Sequence, residues 1–293
     1  MSTQLSNQPL VGITVVNTRP RGQAATLTEE LRTIGARVLE FPLVQIVSEP
    51  AEVFESLRRE LDERTAPDWL VFTSANGVNA FRAAMAERPG VEWGSLVGET
   101  RVATVGDETA RVATEAGLSV DFVSNVSNSD AFAREFSGVL EEEVSEQRRP
   151  LSVLLLRGKK ANAVLPDVIT KLRGVRVQTL AIYDAVIPKY APSDIAELSG
   201  VIRSDTEQTI FVITSSESAK NLCQILSEEG GEGTWRETWP ALRSTPVVTI
   251  GPVTEKTLRE LGFYHITVAP ETSAQGLKDA ITHLAPRIVQ REV

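Results

Sequence analysis

Two short motifs in this chain carry groups able to hold a polar ligand, and each occurs twice. The first is Thr73-Ser74, where the apolar run Leu70-Val71-Phe72 stops; it returns as Thr214-Ser215 after Ile210-Phe211-Val212-Ile213. The second is a glycine turn, Val105-Gly106-Asp107-Glu108-Thr109, which returns as Ile250-Gly251-Pro252-Val253-Thr254. A hydroxyl at the start of a helix accepts one of the N–H groups that the first turn leaves without a partner. The remaining N–H groups and the helix dipole favour an anionic or polar group there. The chemistry on offer is hydrogen bonding and orientation. A single such motif is most simply a helix cap, but two motifs repeated in the same order argue for a site. Nucleophilic catalysis needs a base beside the hydroxyl, and the two histidines, His265 and His283, lie outside both motifs.

Strands and helices must position these turns. Each copy reads as strand, turn, helix: Leu70 to Phe72 is short and β-favouring, as befits a strand buried on both faces of a parallel sheet. The glycine motifs run on to Ala116-Gly117 and Leu261-Gly262, the pattern of a helix closed by glycine. Two homologous halves are the simplest account. Each offers both turns at the C-terminal ends of parallel strands, the edge where open α/β sheets bind ligands. Elsewhere, strands expected over 11–17, 37–41, 151–156 and 175–186 alternate with helices over 22–34, 52–62, 129–143, 161–172 and 273–284. That alternation means an α/β fold of doubly wound parallel sheets. Loops are expected at 89–99 and at Gly230, Gly231 and Gly233, and the first nine residues read as an irregular polar terminus. Pattern alone divides the chain near Arg149-Pro150.

At 293 residues the chain exceeds the size of a single core, so two domains are expected. No apolar run approaches the roughly 18 residues of a membrane span, and the polar start is not a signal peptide. A cytoplasmic protein is therefore expected. A single cysteine, Cys223, excludes internal disulfides and thiolate clusters and reads as a packing residue. With two histidines, no metal site is expected. The formal net charge of −9 argues against nucleic-acid or anionic-membrane partners, which need broad basic surface. An anionic small ligand needs only a local cluster of cations, and Arg19, Arg21, Arg157, Lys159 and Lys160 fall at expected strand ends.

A longer series of residues carries a resemblance: Thr18-Arg19-Pro20 with Gln23 and Gly35, Pro42-Leu43, Phe72-Thr73-Ser74-Ala75-Asn76, Val105-Gly106 with Thr109, Arg157-Gly158, Tyr183, Thr214-Ser215, Ile250-Gly251-Pro252 with Thr254, and Thr272 with Gly276-Leu277. No one of these is specific, but in this order the series resembles the uroporphyrinogen-III synthase family. The resemblance implies two α/β domains related by internal repeat and joined by a two-stranded β connection. One comprises residues 1–43 with 188–293 and the other residues 44–187, with the active-site cleft between them. Pro42 and Pro188 fit such crossings, since each ends an extended run. The implied activity is cyclisation of linear hydroxymethylbilane to uroporphyrinogen III, with loss of water and inversion of the terminal pyrrole ring through a spiro intermediate. No cofactor is implied. The expected partner is the polycarboxylate substrate alone, with no nucleic acid and no membrane, and the chain is expected to act as a monomer.

By the same resemblance, Thr73, Ser74, Gly106, Thr109, Thr214, Ser215, Gly251 and Thr254 occupy the turns that hold the substrate; Arg19 and Arg157, as strand-end cations, and Gly158 are expected to bind it with them. Tyr183 is the catalytic residue, its hydroxyl near the departing hydroxyl of the bilane. Val253 departs from the hydroxyl residue often found before the second threonine. Two other readings use the same scaffold. One is a non-catalytic tetrapyrrole or small-anion sensor. Such sensors carry an added helix-turn-helix domain, for which Ala285 to Val293 is expected to be too short. The other is a glycosyltransferase or nucleotide-binding enzyme with two doubly wound domains, but neither Gly106 nor Gly251 has the neighbouring glycines of a phosphate loop.

Overall fold

The alternating apolar segments build two sheets in a computed structural model that describes residues 8–61, 66–86, 98–124, 129–203, 208–229 and 231–289. The chain divides into two compact units, Met1–Gln45 with Val186–Val293, and Ile46–Ala185. It passes from one unit to the other at 45–46 and again at 185–186. The expected terminal segment and the expected loop at 89–99 lie largely outside the described residues, as does Gly230.

The first unit holds β1 (Ile13–Asn17), α1 (Arg21–Thr33), β2 (Arg37–Glu40), α7 (Pro192–Arg203), β9 (Gln208–Val212), α8 (Ser216–Gln224), α9 (Gly231–Ser244), β10 (Val247–Thr249), α10 (Pro252–Glu260), β11 (Ile266–Val268) and α11 (Ala274–Val289). Its strand order is β11-β10-β9-β1-β2, and every pairing is parallel. The second unit holds α2 (Ala51–Glu60), β4 (Trp69–Phe72), α3 (Ala75–Ala86), β5 (Arg101–Thr104), α4 (Asp107–Glu115), β6 (Phe122–Val123), α5 (Ser129–Gln147), β7 (Leu151–Gly158) and α6 (Val164–Ile169). Its sheet is completed by β3 (Gln45–Ser48) and β8 (Val175–Val186), in the order β3-β8-β7-β4-β5-β6.

Period-two alternation sends each strand's side chains into two cores. On β4, Leu70 and Phe72 join the cluster with Phe81 and Val112, while Trp69 and Val71 join Phe132, Phe136 and Ile169 on the opposite face. On β9, Phe211 packs with Leu198 and Leu222, and Ile210 and Val212 pack with Leu27 and Ile281. All four β4 residues are buried, which explains why its sequence is a continuous apolar run. The repeat extends to helix ends. Gly117 donates to the Thr114 carbonyl and Leu118 to that of Ala113, at 2.9 and 3.0 Å; Gly262 donates to Arg259 and Phe263 to Leu258 at the same distances.

Three expectations need correction, the first being the division near Arg149-Pro150, which falls inside the unit Ile46–Ala185. Gly231 opens a helix instead of a loop, because Trp235, Trp239 and Leu242 recur on one face and pack against the first unit's core. The helix expected over 161–172 is confined to Val164–Ile169. The carbonyls of Ala161 and Asn162 accept hydrogen bonds from the Arg157 guanidinium, and Pro166 has no N–H with which to bond Asn162 in a helix.

Thr104 and Thr249 occupy the same place in the two copies, two residues before the turn glycine. Both are fully buried, and neither hydroxyl has a hydrogen-bond partner among the described residues. A buried, unpaired hydroxyl costs about 1–3 kcal/mol, and valine has nearly the same shape. Thr104→Val and Thr249→Val are each expected to stabilise the protein by about 1 kcal/mol, read as a higher urea midpoint at unchanged m-value. A lowered midpoint would mean that these hydroxyls are bonded after all.

Candidate active site

The first Thr-Ser motif bends the chain from β4 into α3, and Ser74 Oγ accepts the Gly77 N–H at 3.2 Å. The same oxygen lies 2.8 Å from the Tyr183 hydroxyl. Tyr183 reaches it because β7 and β8 pair in regular register only as far as Arg157 and Ala181. A bulge then pairs Gly158 with Tyr183, and the Lys159 N–H donates to the Tyr183 carbonyl at 2.9 Å. Bulges re-aim a strand's side chains. This one lays the phenol ring over Gly158, where a Cβ would come within 2.8 Å of Tyr183 Cζ and 3.0 Å of its hydroxyl oxygen. The ring leaves no room for a side chain at residue 158.

Tyr183 is 9% exposed. Burial pushes its phenol above the ordinary value of 10.0, against the opposing effects of the Ser74 hydrogen bond and the Arg157 charge. The hydroxyl is therefore protonated at neutral pH and able to donate.

Beside this pair lies a cavity of about 180 Å³. Thr73, Ser74, Arg157 and Tyr183 line it, together with Ser129, Leu155, Ala161, Asn162, Leu165 and Pro166. Arg157, at the end of β7, is 8% exposed. Its Nη2 donates to the carbonyls of Ala161 and Asn162, the latter at 2.6 Å. The other two cations of this segment are differently engaged: Lys159 pairs with Glu49 at 3.5 Å, and Lys160 Nζ donates to the Ala185 carbonyl at 3.1 Å. On the neighbouring strand, Gly106 turns β5 into α4 with φ of 77°, a left-handed conformation that favours glycine. Thr109 is buried in the first turn that follows. Neither Gly106 nor Thr109 lines the cavity.

In the first unit, Arg19 follows β1, Thr214-Ser215 follow β9 and Gly251 follows β10. These strands are parallel neighbours, so the turns share one sheet edge. Ser215 Oγ caps α8 by accepting the Ser218 N–H at 3.0 Å, and Ser216 Oγ meets Thr257 Oγ1 at 2.7 Å. Gly251 is extended, with φ of −171°, and a Cβ there would meet nothing within 4 Å. This copy of the turn therefore does not demand glycine. Thr254 is buried, and Val253 stands 75% exposed. Cys223 is half-buried, and burial pushes its thiol up to about 11, which suits a packing residue and not a nucleophile.

Sequence reasoning missed Ser129, Asn162 and Pro166 at the cavity. A signal for two of them was present: a proline four residues after Asn162 leaves that residue's carbonyl without its helical donor, so it must find another.

Residues 25–279 match the family model described as uroporphyrinogen-III synthase HemD. The chain belongs to this family. It is similar to a uroporphyrinogen-III synthase of Synechococcus elongatus, with 26% identity over 96% of this chain and 98% of the relative. Among solved structures, it resembles a uroporphyrinogen-III synthetase from Helicobacter pylori, with a TM-score of 0.58, 17% identity and 93% and 99% of the two chains covered. A mutant uroporphyrinogen III synthase from Thermus thermophilus gives a TM-score of 0.57 at 20% identity, covering 95% and 99%. At those identities the two structures speak for the fold, two α/β domains; the family match speaks for descent.

Proposed function

We propose that this chain is a uroporphyrinogen-III synthase, a cyclising lyase that converts linear hydroxymethylbilane to uroporphyrinogen III, and that Tyr183 is its acid. The observation that carries the site is the part-buried Ser74–Tyr183 hydroxyl pair, 2.8 Å apart, at a cavity lined by a guanidinium.

A pyrrole nitrogen of the substrate supplies the electron pair that breaks the terminal carbon–oxygen bond. The departing oxygen takes the phenol proton and leaves as water. The cation so formed is attacked by the substituted α carbon of the terminal pyrrole to give the spiro intermediate. The bond from that carbon to its original methylene bridge then breaks, and the freed methylene cation bonds to the other α carbon of the same ring, closing the macrocycle with that ring inverted. The proton released on closure returns to the phenolate, so the net change is loss of one water. Because the substrate drives its own ionisation, the protein need supply only orientation and a proton.

Arg157, Gly158, Thr73, Ser74, Gly106 and Thr109 in one unit, and Arg19, Thr214, Ser215, Gly251 and Thr254 in the other, bind the polycarboxylate through N–H groups, hydroxyls and cations. The enzyme acts as a monomer in the cytoplasm, with no nucleic-acid or membrane partner. A net charge of −9 disfavours the first, and no helix among the described residues is long and apolar enough to cross a membrane.

The test is to supply enzymatically made hydroxymethylbilane, oxidise the products and resolve the porphyrin isomers. Predominance of isomer III is expected. Isomer I alone, the product of unassisted closure, would sink the assignment.

A further inference from the structure

Arg157 presents a charge without an opposite. Arg157 is 8% exposed as a residue, yet no carboxylate of the described residues lies within ion-pair distance, and its hydrogen-bond partners among the described residues are two backbone carbonyls, both bonded by Nη2. Those carbonyls satisfy hydrogens without cancelling charge. Nε and Nη1 retain three N–H donors between them. A buried cation is ordinarily paired, because leaving water is costly for it. The exposed cations nearby do not share this condition: the Lys159 side chain is 59% exposed and has Glu49 beside it.

The guanidinium lines a cavity of about 180 Å³. A space of that size suits a short carboxylate-bearing arm and not a whole tetrapyrrole. Its walls divide by chemistry. Leu155, Leu165 and Pro166 are apolar and suit methylenes, whereas Thr73, Ser129 and Tyr183 bring hydroxyls. Ser129 also opens the 19-residue helix α5, whose N-terminal dipole adds to the attraction for an anion.

We infer that this cavity is a subsite for a single alkyl carboxylate, with Arg157 as its counter-charge and the apolar wall holding the methylenes. Resting on the functional reading above, the occupant is one carboxylate arm of the bilane. Because Arg157 and Tyr183 line the same cavity, that arm belongs to the ring that carries the departing hydroxyl. Arg157 is then a register-setting residue: it determines which ring meets the phenol.

The experiment titrates the full-length protein with sodium propionate, with sodium chloride at matched ionic strength and with inorganic phosphate. Propionate is expected to raise the thermal midpoint saturably, as a ligand of the native state does, and to show intermolecular NOEs from its methylene and methyl protons to the Leu165 methyls. Arg157→Gln, which keeps an N–H donor for the carbonyls and removes the charge, should weaken propionate at least tenfold. Lys256→Ala, an exposed cation of the other unit whose side chain is 80% exposed, should not.

Propionate acting no better than chloride, or the absence of those NOEs at saturation, overturns the subsite, and so does phosphate binding equally well. If Arg157→Gln fails to fold, the wild-type NOEs decide alone. Propionate bound at Leu165 in a protein that forms no isomer III would leave the subsite standing and sink only the functional reading.

Discussion

Tyr183→Phe is expected to slow turnover by about 10²-fold to 10⁴-fold, the usual worth of a general acid, while the fold persists. The phenylalanine ring fills the same space over Gly158 and removes one oxygen. That oxygen's described partner is Ser74 Oγ, and Ser74 still caps α3 through the Gly77 N–H. The loss should fall on turnover and leave the Michaelis constant nearly unchanged, as for an interaction made only in the transition state. The phenol's raised position, set mainly by burial, also fixes the alkaline behaviour. The wild-type rate should hold up to and beyond the ordinary phenol range near 10, then fall as the proton is lost, and Tyr183→Phe should lack that limb. Thr109→Ala and Ser215→Ala should cost much less, since the backbone donors of their turns survive. Isomer III formed by Tyr183→Phe at the wild-type rate would remove the acid role and leave catalysis to positioning.

The architecture was legible because its signals are local and repeated. β4 and β9 announce themselves as apolar runs ending in hydroxyls, and Gly117 and Gly262 close their helices with the same pair of hydrogen bonds. Tertiary packing overrode the local signals at two places. Gly231 reads as loop, yet Trp235, Trp239 and Leu242 give the segment an apolar face whose burial outweighs glycine's poor helix propensity, a cost of about 1 kcal/mol. The helix after β7 reads as beginning at Ala161, but a guanidinium from the preceding strand takes the carbonyls it would need.

The turns could be placed from the sequence, but their differences could not. Gly106 and Gly251 look equivalent, and only the first is held at positive φ. Lys159 and Arg157 look alike as strand-end cations, yet one is exposed against Glu49 and the other is buried without a carboxylate. Those distinctions depend on which groups long-range folding brings together, here Glu49 beside Lys159 and Ser74 beside Tyr183, and no local pattern encodes them.

Gly158→Ala is the substitution that separates placement of the phenol from its chemistry. Gly158 is not held at positive φ, so its backbone accepts an alanine without strain. The obstacle is the Tyr183 ring, within 2.8 Å of the new methyl at Cζ and 3.0 Å at the hydroxyl oxygen. Such contacts cannot persist, and the end of a side chain moves more readily than two paired strands. The hydroxyl should therefore be pushed from Ser74 by several tenths of an ångström or more, and a misplacement near 1 Å can cost about 10²-fold in rate. Turnover is expected to fall by that order, with an unfolding midpoint close to wild type. The decisive measurement is the double variant. If alanine acts by displacing the phenol, then Gly158→Ala has little left to remove once Tyr183 is phenylalanine, and the two losses will not add. Fully additive losses would mean that Gly158 serves the reaction independently of Tyr183, through its own backbone. A wild-type rate in the single variant would mean that the ring has room to move without consequence, and that the Ser74 contact does not position the acid.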